Sequence, residues 1–555
     1  MTTTDNRRFA LICALGVILF FMYQAWTKDF PDVPPPATAP AKAVELESGD
    51  NDAPLAQVPD SKPTASPAEA VSKKVQVETD RLVAEISLTG GELRRLELKG
   101  YPVSKDHPER NLALLDDRDS RLFILQSGIA GSERPLVTHQ SAFTAAHTRY
   151  TLVEGADALS VVLEHRDESG LSLSKTYQFK RDSYEVTLTQ TLKNTSAQAL
   201  IASPYVRMQR NLFVAGDEPP FVQTFKGVGL YEHKENGAGY RFRKETFEDL
   251  GDEPIEIKQT GGWISFLQHY FLAAILPAAD EALSFSAKSG KNGTYIGQYV
   301  GPAATLAPGA EQTFATRLYL GPKLQNVVGA VAPGLELTVD YGILTAISEP
   351  LFWLLDLFHT WTKNWGVAII LLTLAVKAAL YKLSEAQYRS MAKMKKYGPR
   401  IQEIKERFGD DRERLQKAMM DLYKKEGFNP LAGCWPILIQ FPVFISLYWV
   451  LLESVELRQA SFALWLMDLS APDPYYVLPV LFGISMWAQQ KLSGQAMTMD
   501  PMQQKVMNAM PVMLTAFFAF FQSGLVLYWL VSNLIGIAQQ WFITRKLERE
   551  AAAPR

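Results

Sequence analysis

An apolar run near residue 370 limits what this chain can fold into. Between Trp365 and Tyr381 the sequence reads WGVAIILLTLAVKAALY, and Lys377 is its one charged residue. A helix of that length, at about 1.5 Å per residue, crosses most of a lipid bilayer. Because a lysine inside such a segment costs about 2.5–3.5 kcal/mol on insertion scales, its presence indicates that the charge serves a function.

The composition restricts the class of protein. The chain has 555 residues, more than one ordinary domain needs, and its net charge of −3 gives no indication of nucleic-acid binding. Cys13 and Cys434 lie far apart in apolar segments, and we interpret them as buried free thiols. The histidines show no metal-ligand spacing, and we find no nucleophile motif, phosphate loop or catalytic carboxylate pair. We therefore expect no metal, no cofactor and no enzymatic step.

The first 340 residues divide into three segments. Residues 1–27 are predicted to be an uncleaved signal-anchor transmembrane helix, because arginines precede an apolar run that no small-residue cleavage site closely follows. Residues 28–75 are rich in proline and alanine and are predicted to be a disordered tether. From 76 to 340, short stretches of alternating apolar and polar residues separated by turn residues predict a large antiparallel β-sandwich.

The remaining sequence is predicted to be helical and largely within a membrane. Residues 345–362 form an amphipathic pattern that favours a helix in the outer interface, although packing on the sandwich is the alternative. Five apolar segments then follow, near 365–384, 431–452, 475–492, 507–522 and 525–544. The last two are joined by a tight turn that we place around Ser523 and Gly524.

Charge predicts the topology. The loop 382–429 is dense in Lys and Arg, whereas the loop 453–474 has only Arg458. The positive-inside rule then predicts a polytopic α-helical membrane protein with six transmembrane helices, both termini in the cytoplasm and the β-sandwich outside. Residues 384–428 are predicted to form a cytoplasmic helical hairpin, either as a docking surface or as a solvated charged face. Residues 546–555 remain as a short cytoplasmic tail.

Polar residues within the apolar segments indicate a wet cavity. Thr373 and Lys377 share one helix face, and Gln440 lies in a second segment. The last segment carries two adjacent polar stripes, made of Tyr528, Ser532 and Gln539 and of Asn533, Gly536 and Gln540. Snorkelling of the lysine to the inner interface is an alternative. These residues leave three candidates: a chaperone that inserts membrane proteins, a small-solute transporter, and a sugar-modifying envelope enzyme.

Several stretches of the last third are more specific. They cover most of residues 364–545 and read NWGVAIILLTLAVKAALY, YRSMAKMKKYGPRIQEIKERFGDD, NPLAGCWPILIQFPVFISLYWVLLESVELRQASFALWLMDLSAPDPYYVLP, DPMQQKVM and SGLVLYWLVSNL. In these stretches the chain resembles the YidC-type membrane protein insertases of Gram-negative bacteria, within the Oxa superfamily. The anchor, the tether and the outer β domain resemble the same family more loosely.

The resemblance implies a function and a location. It implies an insertase and chaperone of the bacterial inner membrane that acts alone or with the Sec translocon, with an insertase core over 364–545. Implied partners are nascent inner-membrane proteins, Sec components, membrane lipids and the ribosome. The β domain would be a β-supersandwich akin to sugar mutarotases, with docking to the translocon as its role.

The resemblance also assigns site residues. A groove for the polar segment of the client would contain Lys377, Thr373, Gln440, Tyr528, Trp529, Ser532 and Asn533. A slide for its apolar segment would contain Phe441, Pro442, Phe444, Met513 and Phe517. Lysine stands at position 377 where the family more typically has arginine, so the charge remains but bidentate hydrogen bonding does not.

Overall fold

The computed structural model describes residues 74–118, 120–132, 135–213, 225–234, 239–409, 411–425, 435–493 and 501–552. The predicted signal anchor, nearly all of the predicted tether and both cysteines lie outside these residues.

Strict alternation of buried and exposed residues defines a β domain over residues 74–322. Along Leu171–Lys180, for example, every second residue is buried and its neighbours face outward. Within the described residues the strands are β1 Lys74–Glu78, β2 Leu82–Ser87, β3 Glu92–Ser104, β4 His107–Leu115, β5 Phe123–Gly131, β6 Pro135–Val137, β7 Thr144–Ala145, β8 Arg149–Thr151, β9 Ala158–Arg166, β10 Leu171–Lys180, β11 Glu185–Asn194, β12 Leu200–Asn211, β13 Gly227–His233, β14 Tyr240–Thr246, β15 Ile255–Thr260, β16 Trp263–Leu267, β17 Phe271–Leu276, β18 Ala282–Ser289, β19 Thr294–Val300, β20 Ala304–Leu306 and β21 Glu311–Pro322.

These strands form two sheets. The first has the order β15-β18-β19-β12-β5-β3-β2-β1-β8, with β20 paired to β12, β4 to β3 and β6 to β5. The second has the order β14-β13-β16-β17-β21-β11-β10-β9-β7. Pairing is antiparallel except between β1 and β8. Both sheets contribute to one core, in which the rings of Phe123 and Phe266 lie 5.8 Å apart. The prediction of a β-rich domain ahead of a helical region is therefore confirmed.

The helical region begins where this domain ends. Its helices, together with two short helices in and after the β domain, are α1 Asp249–Asp252, α2 Gln325–Val331, α3 Thr345–Thr362, α4 Trp365–Ala379, α5 Tyr381–Phe408, α6 Arg412–Lys425, α7 Trp435–Glu453, α8 Val477–Ser493, α9 Pro501–Phe518 and α10 Ser523–Ala552. Helix α10 contacts α4, α5, α7 and α8, while α3 contacts α4 and α7, and α8 contacts α9. A second hydrophobic core, which includes Leu355, Ile369, Val450 and Val526, lies between these helices.

The predicted number of six membrane spans goes beyond what the helices establish. Among the described residues, one helix segment, Ser523–Leu547, is long and apolar enough to cross a membrane by itself. Trp365–Ala379 and Tyr381–Arg389 meet that test only as a bent pair, and Gln440–Glu453 is a shorter apolar segment.

Several predicted helix ends differ from the structure. The last helix, for example, runs to Ala552 instead of ending near 544, so most of the predicted tail 546–555 belongs to it. Two other differences lie nearer the predicted groove. The first core helix ends at Ala379 rather than near 384, and the chain bends by 63° before α5. The turn predicted around Ser523 and Gly524 lies earlier, over 519–522, and both residues belong to α10. Glycine by itself favours a turn at position 524. The backbone N–H of Gly524 instead donates to Leu469 O at 2.9 Å, and this contact with a distant residue holds it in the first turn of α10.

Candidate functional site

Helix α4 carries the charge that the sequence singles out. Asn364 caps its start, because the side-chain oxygen accepts a hydrogen bond from the backbone of Val367 at 3.1 Å. Thr373 is buried, and its hydroxyl donates to Ile369 O at 2.7 Å. Lys377 is half-buried and has no ion pair within the part of the chain that the structure describes. Among the described residues, no fixed anion therefore lies beside its ammonium.

The bend after α4 changes the surroundings of the lysine. Lys377 lies in the last turn of the helix, where backbone carbonyls lack their next partner and the helix dipole favours a cation. A straight continuation of α4 would place Lys382 roughly 7–8 Å further along the same axis, at about 1.5 Å per residue. Because the chain turns by 63° after Ala379, Lys382 instead lies on α5, with a side chain that is 92% exposed.

The polar stripes of α10 meet other helices. Asn533 is half-buried, and its amide donates to Ser485 Oγ on α8 at 3.4 Å. A Cβ at Gly536 would lie 3.2 Å from the Tyr388 hydroxyl and 3.4 Å from Gln489 Nε2, so α5, α8 and α10 converge here. Ser485 and Gln489 were not among the groove residues predicted from the sequence. Their spacing of four residues on an apolar helix was a usable signal.

Tyr528 and Trp529 face different surroundings. Tyr528 is buried in the helical core. Trp529 stacks on Phe444 of α7 with ring centroids 5.0 Å apart and also contacts Phe518 and Phe482. The structure thus places Trp529 among the aromatic residues of the predicted slide rather than beside the polar stripe. One residue along a helix turns the side chain by about 100°, which is enough to separate the two rings.

The other predicted slide residues divide by exposure. Phe441 of α7 is 58% exposed and Met513 of α9 is 63% exposed, so both present apolar surface outward. Pro442 and Phe517 are half-buried, and Phe517 contacts Phe521 with ring centroids 4.7 Å apart. Gln440 is half-buried at the start of the described side chains of α7.

The predicted groove residues therefore lie on three helices, α4, α7 and α10. Helix α10 contacts both α4 and α7. Within the described residues, no hydrogen bond joins Lys377 to Ser532 or Asn533. These residues also contain no group of three or more His, Cys, Asp or Glu side chains that could hold a metal ion.

Comparison with known proteins decides the family. One family model, the YidC periplasmic domain, matches residues 74–354, and another, the 60Kd inner membrane protein, matches residues 357–550. The membrane protein insertase YidC of Nitrosococcus oceani is 43% identical over 98% of this chain and 100% of that protein. The YidC of Methylococcus capsulatus is 43% identical over 99% of each chain.

The chain belongs to the YidC family of membrane protein insertases. This confirms the resemblance stated above and the expectation that the protein is an insertase rather than an enzyme. The β domain is the YidC periplasmic domain. A crystal structure of an active YidC insertase aligns with 85% of this chain and 92% of that chain at 16% identity, with a TM-score of 0.37.

Proposed function

We propose that this protein inserts newly made inner-membrane proteins and helps them to fold, through a hydrophilic groove bordered by α4, α7 and α10. The observation that carries the proposal is the half-buried Lys377, which has no ion pair among the described residues. An ammonium at such a depth is stable only beside water or polar groups, so it favours a cavity that a polar segment can enter.

In this mechanism, two parts of the client, which is the membrane protein being inserted, move separately. Its short polar terminus enters the groove, where Lys377 and the hydroxyls and amides of α10 replace part of its hydration. Its apolar segment moves along the outward side chains of Phe441 and Met513 into lipid. Each CH₂ buried there contributes about 0.8 kcal/mol, so the reaction needs no nucleotide.

The short apolar segments of α8 and α9 support a lowered energy barrier to the passage of the client's polar segment across the bilayer. The apolar segments predicted at 475–492 and 507–522 have 18 and 16 residues, and each is shorter than the roughly 20 residues that span the hydrocarbon core. Local thinning of the bilayer around them follows from this mismatch and shortens the path of the polar segment.

The charge distribution supports the topology, and the family resemblance supports the partners. The Lys and Arg distribution places both termini in the cytoplasm of a six-span protein. Helices α5 and α6 then form a cytoplasmic hairpin that receives clients, and the tail 546–555 contacts the ribosome. The β domain docks on the Sec translocon when the two act together.

The test is protease protection of a small newly made client with its N-terminus outward, added to liposomes that contain the purified protein. Lys377→Leu is expected to abolish protection, whereas Lys377→Arg keeps the charge and retains it. Lys382→Leu is the matched control, because that lysine lies beyond the bend and its side chain is 92% exposed. Wild-type levels of protection by the Lys377→Leu variant would assign the lysine to snorkelling, and no protection by wild type would contradict insertion itself.

A further inference from the structure

The loop between α7 and α8, residues 454–476, has no role in the function proposed above. Part of it lies at the start of α4, because the Asn364 amide donates to Phe462 O at 2.8 Å. Gly366 is the second residue of that helix, and a Cβ there would lie 2.1 Å from the Phe462 ring. Since the apolar run of α4 begins at Trp365, Phe462 lies at one end of a predicted membrane segment.

A tight turn with an apolar tip follows Phe462. The Phe462 N–H donates to Leu466 O at 2.8 Å, and the Leu466 N–H donates to Ala463 O at 3.0 Å. Leu464 lies at the tip of this turn and is 83% exposed, and Met467 just after the turn is also exposed. A turn closed by its own backbone hydrogen bonds suits the edge of a bilayer, where unpaired backbone groups are costly.

The backbone of Leu464 is unusual for an exposed residue. Its φ of 56° is left-handed, and such a value persists in a leucine only where the surroundings determine it. In water, this exposed side chain has no apolar surroundings to offset the strain. Acyl chains of a bilayer supply such surroundings, because they remove the leucine from water.

The acidic side chains of the loop are bound on its protein side. Asp473 is buried, and it accepts hydrogen bonds from the Trp465 indole at 3.0 Å and from the backbone of Leu478 at 2.7 Å. Asp468 is half-buried and accepts from the backbone of Gln459 at 3.1 Å. Both carboxylates are therefore held within the protein, while the exposed side chains of the tip are apolar.

Side chains typical of a membrane interface lie beside the tip. The Tyr475 backbone donates to the same Asp473 oxygen as the Trp465 indole, and the Tyr475 side chain is exposed. Tyrosine suits the headgroup level, because its ring is apolar and its hydroxyl is polar. Lys105, in the turn between β3 and β4, donates to Ser461 Oγ at 3.2 Å. A lysine there can keep its ammonium among polar headgroups while its stem covers apolar surface.

The base of the loop is fixed to the β domain. Arg458 donates to Pro102 O of β3 at 3.0 Å. The Glu456 carboxylate accepts from the backbone of Gln325 at 3.1 Å, and Val455 belongs to the core of the β domain. The turn thus has a fixed position relative to both the β domain and the start of α4.

We propose that the turn 462–467 is a lipid anchor, whose Leu464 and Met467 side chains enter the periplasmic leaflet of the bilayer. The inference rests on the proposed function, in which α4 crosses the membrane and starts on the periplasmic side. Leu464 follows Phe462 by two residues, so the tip lies near the level at which the apolar run of α4 begins, where hydrocarbon meets headgroups. Because the base of the loop is bonded to the β domain, the anchor also fixes the height of that domain above the bilayer.

Spin labels test this contact in the full chain, with Cys13 and Cys434 replaced by serine, in liposomes of phosphatidylethanolamine and phosphatidylglycerol. The measurement compares collisions of the label with oxygen, which concentrates in hydrocarbon, and with a water-soluble nickel chelate. A label at Leu464→Cys is expected to favour oxygen several-fold. Val153→Cys is the matched control, because this apolar residue of the β domain is 70% exposed, and its label should favour the chelate. A label at Leu374→Cys, within the apolar run of α4, provides the lipid reference.

A second set of variants keeps the label away from the tip. Aspartate tolerates left-handed backbone, so Leu464→Asp is expected to preserve the turn, while its charge is costly in lipid. With the label at Met467→Cys, Leu464→Asp should lower the oxygen-to-chelate ratio several-fold, to the value at Val153→Cys. Leu464→Met keeps an apolar tip and should retain the original ratio.

Four results would contradict the proposal. A preference for the chelate at position 464, beside a lipid value at 374, would overturn the anchor, and client protection in the same liposomes would show that insertion is intact. Few collisions with either reagent at position 464 would indicate contact with a second copy of the chain and would also overturn it, as would an unchanged ratio in Leu464→Asp. A preference for the chelate at position 374 would instead contradict a membrane-spanning α4, and with it the proposed function.

Discussion

Two lysines in apolar surroundings show how differently a buried charge can be accommodated. Lys175 is fully buried in β10, and its ammonium donates to Gly90 O at 2.6 Å and Ser127 O at 2.8 Å on the other sheet. Burial lowers the pKa of Lys175 to about 7. Lys377 has no comparable partners among the described residues. Lys175 lies at an inward position of its alternating strand, so the pattern alone could have singled it out.

Glu456 supplies a prediction at the same scale. Its Oε2 is buried without a partner among the described residues, and burial raises the pKa of this carboxyl to about 7 from its usual 4.5. Between those pH values the unfolded chain has lost the proton while the folded protein retains it. Stability therefore falls as pH rises through this window, by about 3 kcal/mol in all, and the loss persists above it.

Glu456→Gln is expected to remove this dependence, because the amide stays neutral and its oxygen still accepts from Gln325. Thermal unfolding of the full chain in detergent between pH 4.5 and 8 measures the difference. The variant should match wild type near pH 4.5 and exceed it at pH 8. Parallel curves for the two proteins across the range would refute the assigned shift.

At the scale of helices, close packing depends on small residues at crossings. A Cβ at Gly483 of α8 would lie 1.9 Å from Thr515 Oγ1 on α9, whose hydroxyl donates to Pro511 O at 2.8 Å. The two helices approach so closely only because this position lacks a side chain. The crossing explains why a glycine is retained within a helix, where it is otherwise unfavourable by about 1 kcal/mol relative to alanine.

Gly483→Ala is expected to lower the stability of the full chain despite this gain in helix propensity. Overpacking costs about 1–3 kcal/mol, and a Cβ 1.9 Å from Thr515 Oγ1 favours the upper half of that range, above the roughly 1 kcal/mol that alanine contributes in a helix. Adding Thr515→Ala removes the clashing oxygen and should restore the melting temperature. Gly251→Ala, which has open space around it, serves as the control. Failure of the double variant to recover would show that the crossing does not limit stability.

At the scale of the whole molecule, the β domain and the helical region are connected by an interface of hydrogen bonds as well as by the chain itself. His269 is buried in the β domain, and its Nε2–H donates to Leu452 O of α7 at 3.0 Å. Burial lowers the pKa of His269 to about 3, which keeps the ring neutral. Arg458 and Gln459, which follow α7, donate to Pro102 O of β3 at 3.0 and 3.1 Å. These contacts and that of His269 orient the β domain relative to α7.

Truncating the side chains of Arg458 and Gln459 tests whether this interface fixes the β domain. The double variant Arg458→Ala and Gln459→Ala loses hydrogen bonds that contribute about 1–3 kcal/mol in total. Electron–electron resonance distances between a spin label at Glu311 of the β domain and one at Lys546 of α10 are expected to broaden. Arg149→Ala, at an exposed side chain, should leave the distribution at its wild-type width. An equally narrow distribution in the double variant would show that other contacts suffice.

Much of the fold and part of the candidate site could be predicted from local sequence patterns. Alternation over two residues predicts strands such as β10 because a strand between core and solvent must bury every second side chain. Lys377 could be singled out because it is the one charge in a long apolar segment. A charge in hydrocarbon is costly whatever the later packing of the segment. Both inferences depend on the composition of a short segment, which the sequence displays directly.

The rest required the tertiary structure, because contacts between distant residues decide it. The bend after Ala379, the inclusion of Gly524 in α10, and the placement of Trp529 beside Phe444 all depend on partners many positions away. The loop 454–476 is the clearest case, since its sequence resembles an ordinary connection between two helices. Its conformation depends on hydrogen bonds to distant parts of the chain, such as those from Arg458 and Gln459 to Pro102 O, and no local pattern encodes which distant backbone will lie within reach.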